Sequence, residues 1–248
     1  MKLSDSHIFP PGLRRSLRFY LTAPAPCPYL PGKTERKAFT NLALTDADSV
    51  HDSLSQSGFR RSQSIAYRPA CPNCNACRSV RIDVQAFKPG RTQRRILRAN
   101  KDLVRSPARP VATREQFRLL KAYLRTRHEG GGMSDMNFRD YAGMVGDSPV
   151  RSVIFEYRQD DQLVACSITD VLRDGLSMVY TFFGSDEPAR SLGTQLILDH
   201  VDQARMLGLP HVYLGYWVKG SPKMDYKRRF SPLEVLDGDT WRPMTDQD

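Results

Sequence analysis

The chain has 248 residues, 40% hydrophobic, 9% aromatic and 26% charged, with a formal net charge of +10. That composition supplies one large core or two modest ones and is unlike a disordered chain. No apolar run reaches the roughly 20 residues that cross a bilayer, and residues 1–12 lack the apolar stretch of a secretory signal, so the expectation is a soluble, cytoplasmic protein without a membrane partner.

Residues 1–15, with Pro10-Pro11-Gly12, read as a flexible arm. Residues 17–21 are strand-like, and a proline-rich loop with Cys27 follows. Residues 46–57 predict a short helix: Thr45 or Asp46 can cap it, Val50 and Leu54 sit four apart, and Gly58 can end it. Residues 59–67 are extended. Cys71, Cys74 and Cys77 then stand in a C-x-x-C-x-x-C run, with Cys27 as a fourth candidate 44 residues earlier. Thiolates at that spacing suit zinc or an iron–sulfur cluster, and the alternative is reduced thiols in a packed loop. A disulfide framework is not expected of a cytoplasmic chain. Val80, Ile82 and Val84 alternate with polar residues, which predicts a half-buried strand. Residues 91–103 predict a basic helix, and residues 106–110 a boundary between two units. From Arg60 to Lys101 there are eleven Lys/Arg and one acid, Asp83; the rest of the chain is neutral. A charge concentrated in this way points to a polyanion, nucleic acid first.

The second half has another rhythm. Thr113 and Gln116 form a capping-box pattern ahead of an apolar face of Phe117, Leu120 and Leu124. His128 and three glycines interrupt, and a second helix carries Met136, Phe138, Tyr141 and Met144. Strands are predicted at 150–157, 163–171 and 176–183, with turns at Asp160-Asp161 and Asp174-Gly175. Cys166, inside the middle strand, reads as core. A helix over 191–207 and strands over 211–218 and 233–236 complete the order. The helix is then a crossover between two parallel strands, and its start, Arg190-Ser191-Leu192-Gly193-Thr194, is a place for an anion. This order resembles the GNAT acyltransferase fold, whose cofactor loop reads R-x-x-G-x-G/A. Here Gln195 replaces the last small residue.

Longer strings carry a more specific resemblance. They are CPYLPG (27–32), GFRRSQSIAYRPACPNCNAC (58–77), RTQRRILRANKDL (91–103), YLRTRHEGGGM (123–133), VYTFFGSDEPARSLG (179–193) and VYLGYWVKGSPKMDYKRRF (212–230). In colinear order from about residue 19 to 241, they resemble the bacterial, leucine-transferring branch of the arginyl-tRNA–protein transferase family. The resemblance implies an aminoacyltransferase that carries leucine from leucyl-tRNA to the N-terminal α-amine of proteins beginning with Asp or Glu, marking them for N-degron degradation. It implies an α+β chain: an N-terminal basic domain with the cysteine loop (16–108) and a C-terminal GNAT-like domain (109–248). No cofactor is required for the transfer itself, and a structural zinc or cluster at the cysteines is the metal expectation.

The chemistry is amine attack on an ester. An α-amine has a pKa of about 7.7–8.0, so a useful fraction is already neutral near pH 7 and no Ser/His/Asp triad is needed. Positioning can supply on the order of 7–11 kcal/mol. The cleft should open at the C-terminal ends of the parallel strands. There Tyr180 and Tyr216 are candidates to orient the amine or relay a proton, and Gly215 would let a ligand approach. Phe182 and Tyr213 are as well explained by the core. Phe183, Arg190, Ser191, Gly193, Thr194 and Gly215 are the candidate grip on the aminoacyl-tRNA end. Arg91, Arg94, Arg95 and Arg98 are expected on the tRNA backbone. Arg190, Lys223, Lys227 and Arg229 are candidates for the acceptor carboxylate, and His128 reads as a capping or surface residue. The rival readings are a coenzyme-A-dependent N-acetyltransferase, against which Gln195 counts, and a metal-stabilised RNA-binding module.

Overall fold

The computed structural model describes residues 17–127, 133, 135–184 and 188–248. The expected arm at 1–15, His128 and the three glycines lie outside the described residues.

In chain order, the first strands are β1 (Tyr20–Leu21), β2 (Ala25–Pro26), β3 (Thr34–Glu35) and β4 (Lys37–Asn41). Helix α1 (Ala47–Gln56) follows; Asp46 is its N-cap but makes no side-chain cap bond, and Gly58 leaves the helix at φ +83°. The extended stretch at 59–67 is a hairpin, β5 (Arg60–Ser62) and β6 (Ile65–Pro69), turned by Gln63 at φ +51°. β1, β4, β6 and β5 form a small sheet in that order, whose core (Leu42, Val50, Leu54, Phe59, Ala66) lies against α1.

β7 (Cys77–Asp83) leaves that sheet and enters a larger one. It was expected to be half-buried, but Ser79, Val80, Arg81 and Ile82 are all buried. The reason is position: β7 is a central strand with neighbours on both sides. Its polar residue Arg81 is accommodated by Glu234 at 2.6 Å and the face of Trp241. Helix α2 (Arg91–Ala99) stops four residues short of the expected end, because Asn100 turns its amide back onto the Ile96 carbonyl.

β8 (Val104–Ala108) is an edge strand of the larger sheet, where a boundary was expected. α3 (Arg114–Arg127) begins with the predicted reciprocal box, Gln116 N–H to Thr113 Oγ1 at 3.1 Å and Thr113 N–H to Gln116 Oε1 at 3.0 Å. Then come α4 (Phe138–Gly146), β9 (Ser152–Gln159), β10 (Gln162–Leu172), β11 (Gly175–Phe183), α5 (Leu192–Met206), β12 (His211–Val218), β13 (Leu233–Asp237) and β14 (Thr240–Pro243). Asp160 and Asp161, both at positive φ, make the two-residue turn between β9 and β10.

The larger sheet runs β14-β13-β7-β12-β11-β10-β9-β8. Strands from before and after residue 108 therefore share it. Successive residues of β9 point to opposite faces. Phe155 joins a core with α2 and α5, and Ile154 joins one with α3 and α4, so helices cover both faces. Cys166, Phe182 and Tyr213 are core residues. β11 and β12 are parallel, as the crossover requires.

Candidate active site

The parallel pair holds only from Gly175↔His211 to Ser177↔Tyr213 and then parts. Against β7, β12 shifts register between Tyr213 and Gly215, with Gly215 at φ +75°. The parting opens a cleft of about 1040 Å³. Tyr180, Phe183, Ser191, Gly193, Thr194, Gly215, Tyr216, Lys223 and Lys227 all line it.

Where two strands part, their facing carbonyls lose their ladder partners and must find others. Two cations do this. Lys227, buried on the 3-10 turn Asp225–Arg229, donates to the Leu214 carbonyl at 2.9 Å and to the Tyr216 carbonyl. Arg60, from β5 of the small sheet, donates to the Met178 carbonyl and, at 3.5 Å, to that of Val179. Burial, aided by the Arg60 charge, pulls the Lys227 ammonium down to a pKa of about 7.

The two tyrosines differ. The Tyr216 hydroxyl donates to the Gly58 and Tyr67 carbonyls at 2.9 and 3.1 Å, which ties β12 to the small sheet. Tyr180 lines the cleft from β11, and burial keeps its phenol protonated far above neutral pH. At the mouth, Ser191 caps α5 in the left-handed region at φ +51° without a side-chain cap bond. Its carbonyl receives the Thr194 and Gln195 N–H groups. Gly193 is small because the Phe183 ring lies on it; a Cβ there would stand 3.2 Å from two ring carbons.

Other predicted residues lie elsewhere. Arg190 is buried and turned out of the cleft, held by Asp102, by Asn100 Oδ1 at 3.1 Å and by Gln159 Oε1 at 2.8 Å, so it braces the start of α5 against α2. Arg229 is exposed on the 3-10 turn and does not line the cleft. Arg91, Arg94, Arg95 and Arg98 are exposed on α2, whose buried face carries Gln93 and Ile96 and packs on α5.

Several lining residues were not anticipated. Arg60, Tyr29 and Tyr67 come from the first half, and Tyr123, Met133, Met136, Met144 and Val179 add apolar lining. Met136 and Met144 are expected on a helix, and Met133 only as the end of the string YLRTRHEGGGM. The sequence signals for Arg60 are its place in the string beginning GFRR and in the basic window over 60–101.

Cys27, Cys71, Cys74 and Cys77 line a second cavity of about 80 Å³, which shares Tyr29, Tyr67 and Tyr216 with the cleft. Burial, then the charges of the other three thiols, pushes the Cys77 thiol up to about 11. Four convergent thiols are a donor set for a soft metal. Among the described residues, however, no three Cys, His, Asp or Glu side chains are arranged to hold one.

Residues 25–95 match the family described as arginine-tRNA-protein transferase, N terminus, and residues 115–237 match arginine-tRNA-protein transferase, C terminus. The chain is 66% identical to the aspartate/glutamate leucyltransferase of Hyphomonas neptunium over all of both chains. It is 54% identical to the protein of that name from Caulobacter vibrioides, over 93% of this chain and 85% of the other. Among solved structures, FemX has a TM-score of 0.50 at 7% identity, covering 94% of this chain and 89% of that one, a likeness of fold alone.

Proposed function

The chain belongs to the arginine-tRNA-protein transferase family, and we propose that the cleft between β11 and β12 is where it transfers leucine from leucyl-tRNA to the N-terminal α-amine of proteins beginning with aspartate or glutamate. It is an aminoacyltransferase. The observation that carries the placement is the polarity of the cleft. Its lining combines an apolar group (Met133, Met136, Met144, Tyr123) with a cationic one (Arg60, Lys227), and at the start of α5 Ser191 makes no side-chain cap bond. A leucyl side chain suits the first group, where flexible thioethers adapt to an aliphatic group. An acidic side chain suits the second. The terminal phosphate or ribose of tRNA suits the α5 start at Ser191, Gly193 and Thr194.

In the reaction the acceptor amine attacks the ester carbonyl, an amide bond forms, and the ester bond to the terminal ribose breaks. The amine loses one proton and the ribose hydroxyl gains one, so the exchange needs a relay and no net acid or base. Tyr180 is the relay in this reading: its phenol stays protonated, so it gives one proton while accepting another. Tyr216 positions, since its own proton is committed to backbone carbonyls. Lys223 and Lys227 are the members of the predicted acceptor set that line the cleft.

The separation of the parallel strands, with a helix start at its mouth, supports a GNAT-like reading of 109–248. The proposed division at 108 lies in the interval between the two family matches, 25–95 and 115–237, while in space β7 and β8 join the sheet of the second part. The four cysteines line a wall of tyrosines shared with the cleft, and holding a structural zinc or cluster as thiolates would require them to rearrange, since among the described residues no three are arranged to do so. Such a group takes no step in the transfer. The product would be marked for N-degron degradation. An enzyme that draws on charged tRNA works in the cytoplasm; among the described residues no helix is long and apolar enough to cross a membrane.

The test is transfer of labelled leucine from charged tRNA to peptides that differ only in their first residue. Label should enter peptides beginning Asp and Glu and not those beginning Arg or Ala. Transfer to all four, or acetyl transfer from acetyl-CoA in its place, overturns the reading.

A further inference from the structure

The charge in the cleft is unbalanced. Among the described residues its lining holds four cations, Arg60, Arg61, Lys223 and Lys227, and no aspartate or glutamate. Adjacent strand residues point to opposite faces, and Arg61 points away to its own carboxylate, Asp170, at 2.7 Å. Lys223 is exposed. Arg60 and Lys227 remain, on the facing edges of the parted strands.

Both cap carbonyls, but a neutral donor could do that. A buried cation pays in lost hydration unless an anion joins it, and two like charges repel as well. The guanidinium of Arg60 lies on the bare backbone of Gly215, where a Cβ would come within 2.8–2.9 Å of Cζ, Nε and Nη1. Nη2 is used on the carbonyls of β11, whereas Nη1 is buried with no hydrogen-bond partner among the described residues. Asp170 serves Arg61, and among the described residues no carboxylate serves Arg60.

We propose that Arg60, with Lys227, receives the side-chain carboxylate of the acceptor's first residue, and that Arg60 is the residue separating Asp and Glu from Asn and Gln. The proposal rests on the cleft being the transfer site. A carboxylate there would neutralise the pair and could accept from Nη1. An amide of the same shape brings no charge, and while its oxygen accepts from one cation its NH2, a donor, is set against the other.

The experiment compares wild type and Arg60→Gln, using leucyl-tRNA and two peptides identical except for Asp or Asn at the first position. The Asp:Asn ratio of kcat/KM should fall at least about 30-fold in the variant, the lower end of what losing one partner of a buried charge pair costs. The KM for leucyl-tRNA should not change. A role limited to capping carbonyls slows both peptides alike; an unchanged ratio therefore overturns the proposal. So does a raised leucyl-tRNA KM with the ratio intact, which would mark a phosphate site. A wild type that serves the Asp and Asn peptides alike overturns the proposal as well, whereas one that transfers leucine to neither sinks the reading of function on which it rests. Should Arg60→Gln fail to fold, wild type is labelled with phenylglyoxal and mapped by mass spectrometry. Saturating Asp peptide should protect Arg60 and Asn peptide should not. Equal labelling overturns the proposal.

Discussion

Lys227 shows how one side chain takes its chemistry from its surroundings. In water its ammonium would be charged throughout the physiological range. Buried between two strand carbonyls with Arg60 nearby, it titrates at about 7. If it helps hold the acceptor carboxylate, the charged form is the binding form. Below about pH 7 the lysine is already protonated and binding is insensitive to pH. Above it, binding an acidic residue requires taking up a proton, so affinity falls with rising pH by up to tenfold per unit. Acceptor amine ionisation also varies with pH but is shared by Asp and Asn peptides. The Asp:Asn ratio of kcat/KM should therefore fall between pH 6.5 and 8.5. A flat ratio would mean that Lys227 only caps carbonyls. At this scale the sequence was partly legible. Tyr180, Gly215 and Tyr216, read from the ends of predicted strands, line the cleft. Arg190 sat in the right motif, yet its side chain turns to Asp102, a partner 88 residues away.

Between elements, a buried ionic junction fastens α1 and β5 to β10. Asp170 accepts from Arg61 Nε and Nη2 at 2.7 Å each and from Ser152 at 2.8 Å, and lies 3.0 Å from His51 Nε2. Burial alone would raise this carboxyl; the hydrogen bonds and charges of His51 and Arg61 prevail and hold it at about 2. Its folded pKa lies below the unfolded value, so its stabilisation is present above about pH 4 and lost as pH falls towards 2. Asp170→Asn strands the Arg61 charge and should cost about 3–5 kcal/mol in urea unfolding at pH 7. A loss below 1 kcal/mol would mean that water reaches Arg61. Since β5 carries Arg60 as well as Arg61, the variant should also weaken preference for acidic acceptors. Element types were readable from period and caps: the Thr113–Gln116 box and the β9–β10 turn lie where expected. What failed was the burial of β7, because alternation cannot report a neighbour contributed from 130 residues further on.

Across the whole molecule, the positive charge sorts into two places. Arg61 is buried and Arg60 half-buried, while Arg91, Arg94, Arg95 and Arg98 stay on the surface of α2. α2 reaches the neighbourhood of the cleft through Gln93, which donates to the Arg229 carbonyl at 2.9 Å, and through Asn100, which donates to that of Arg190 at 2.9 Å. A tRNA whose end enters the cleft has this helix within reach as a seat for its backbone. If two of the arginines neutralise phosphates, replacing Arg94 and Arg95 with Ala should shallow the slope of log affinity against log salt by about 1.5. The Asp:Asn ratio should hold. An unchanged slope would place the tRNA on another face.

By itself the sequence determined the family, the reaction class, the order of most strands and helices, and a cleft at the C-terminal ends of two strands joined by a crossover helix. These follow from colinear motifs, from periods of two and 3.6, and from the handedness of parallel connections, all of which are local or topological. Only the tertiary structure decided that one sheet is built from both halves of the chain, that Tyr216 is anchored to the small sheet, and that Arg60 stands across from Lys227. Those facts depend on which backbone carbonyls are left without partners when β11 and β12 part. That depends in turn on pairings between residues more than 100 positions apart, which no local pattern encodes.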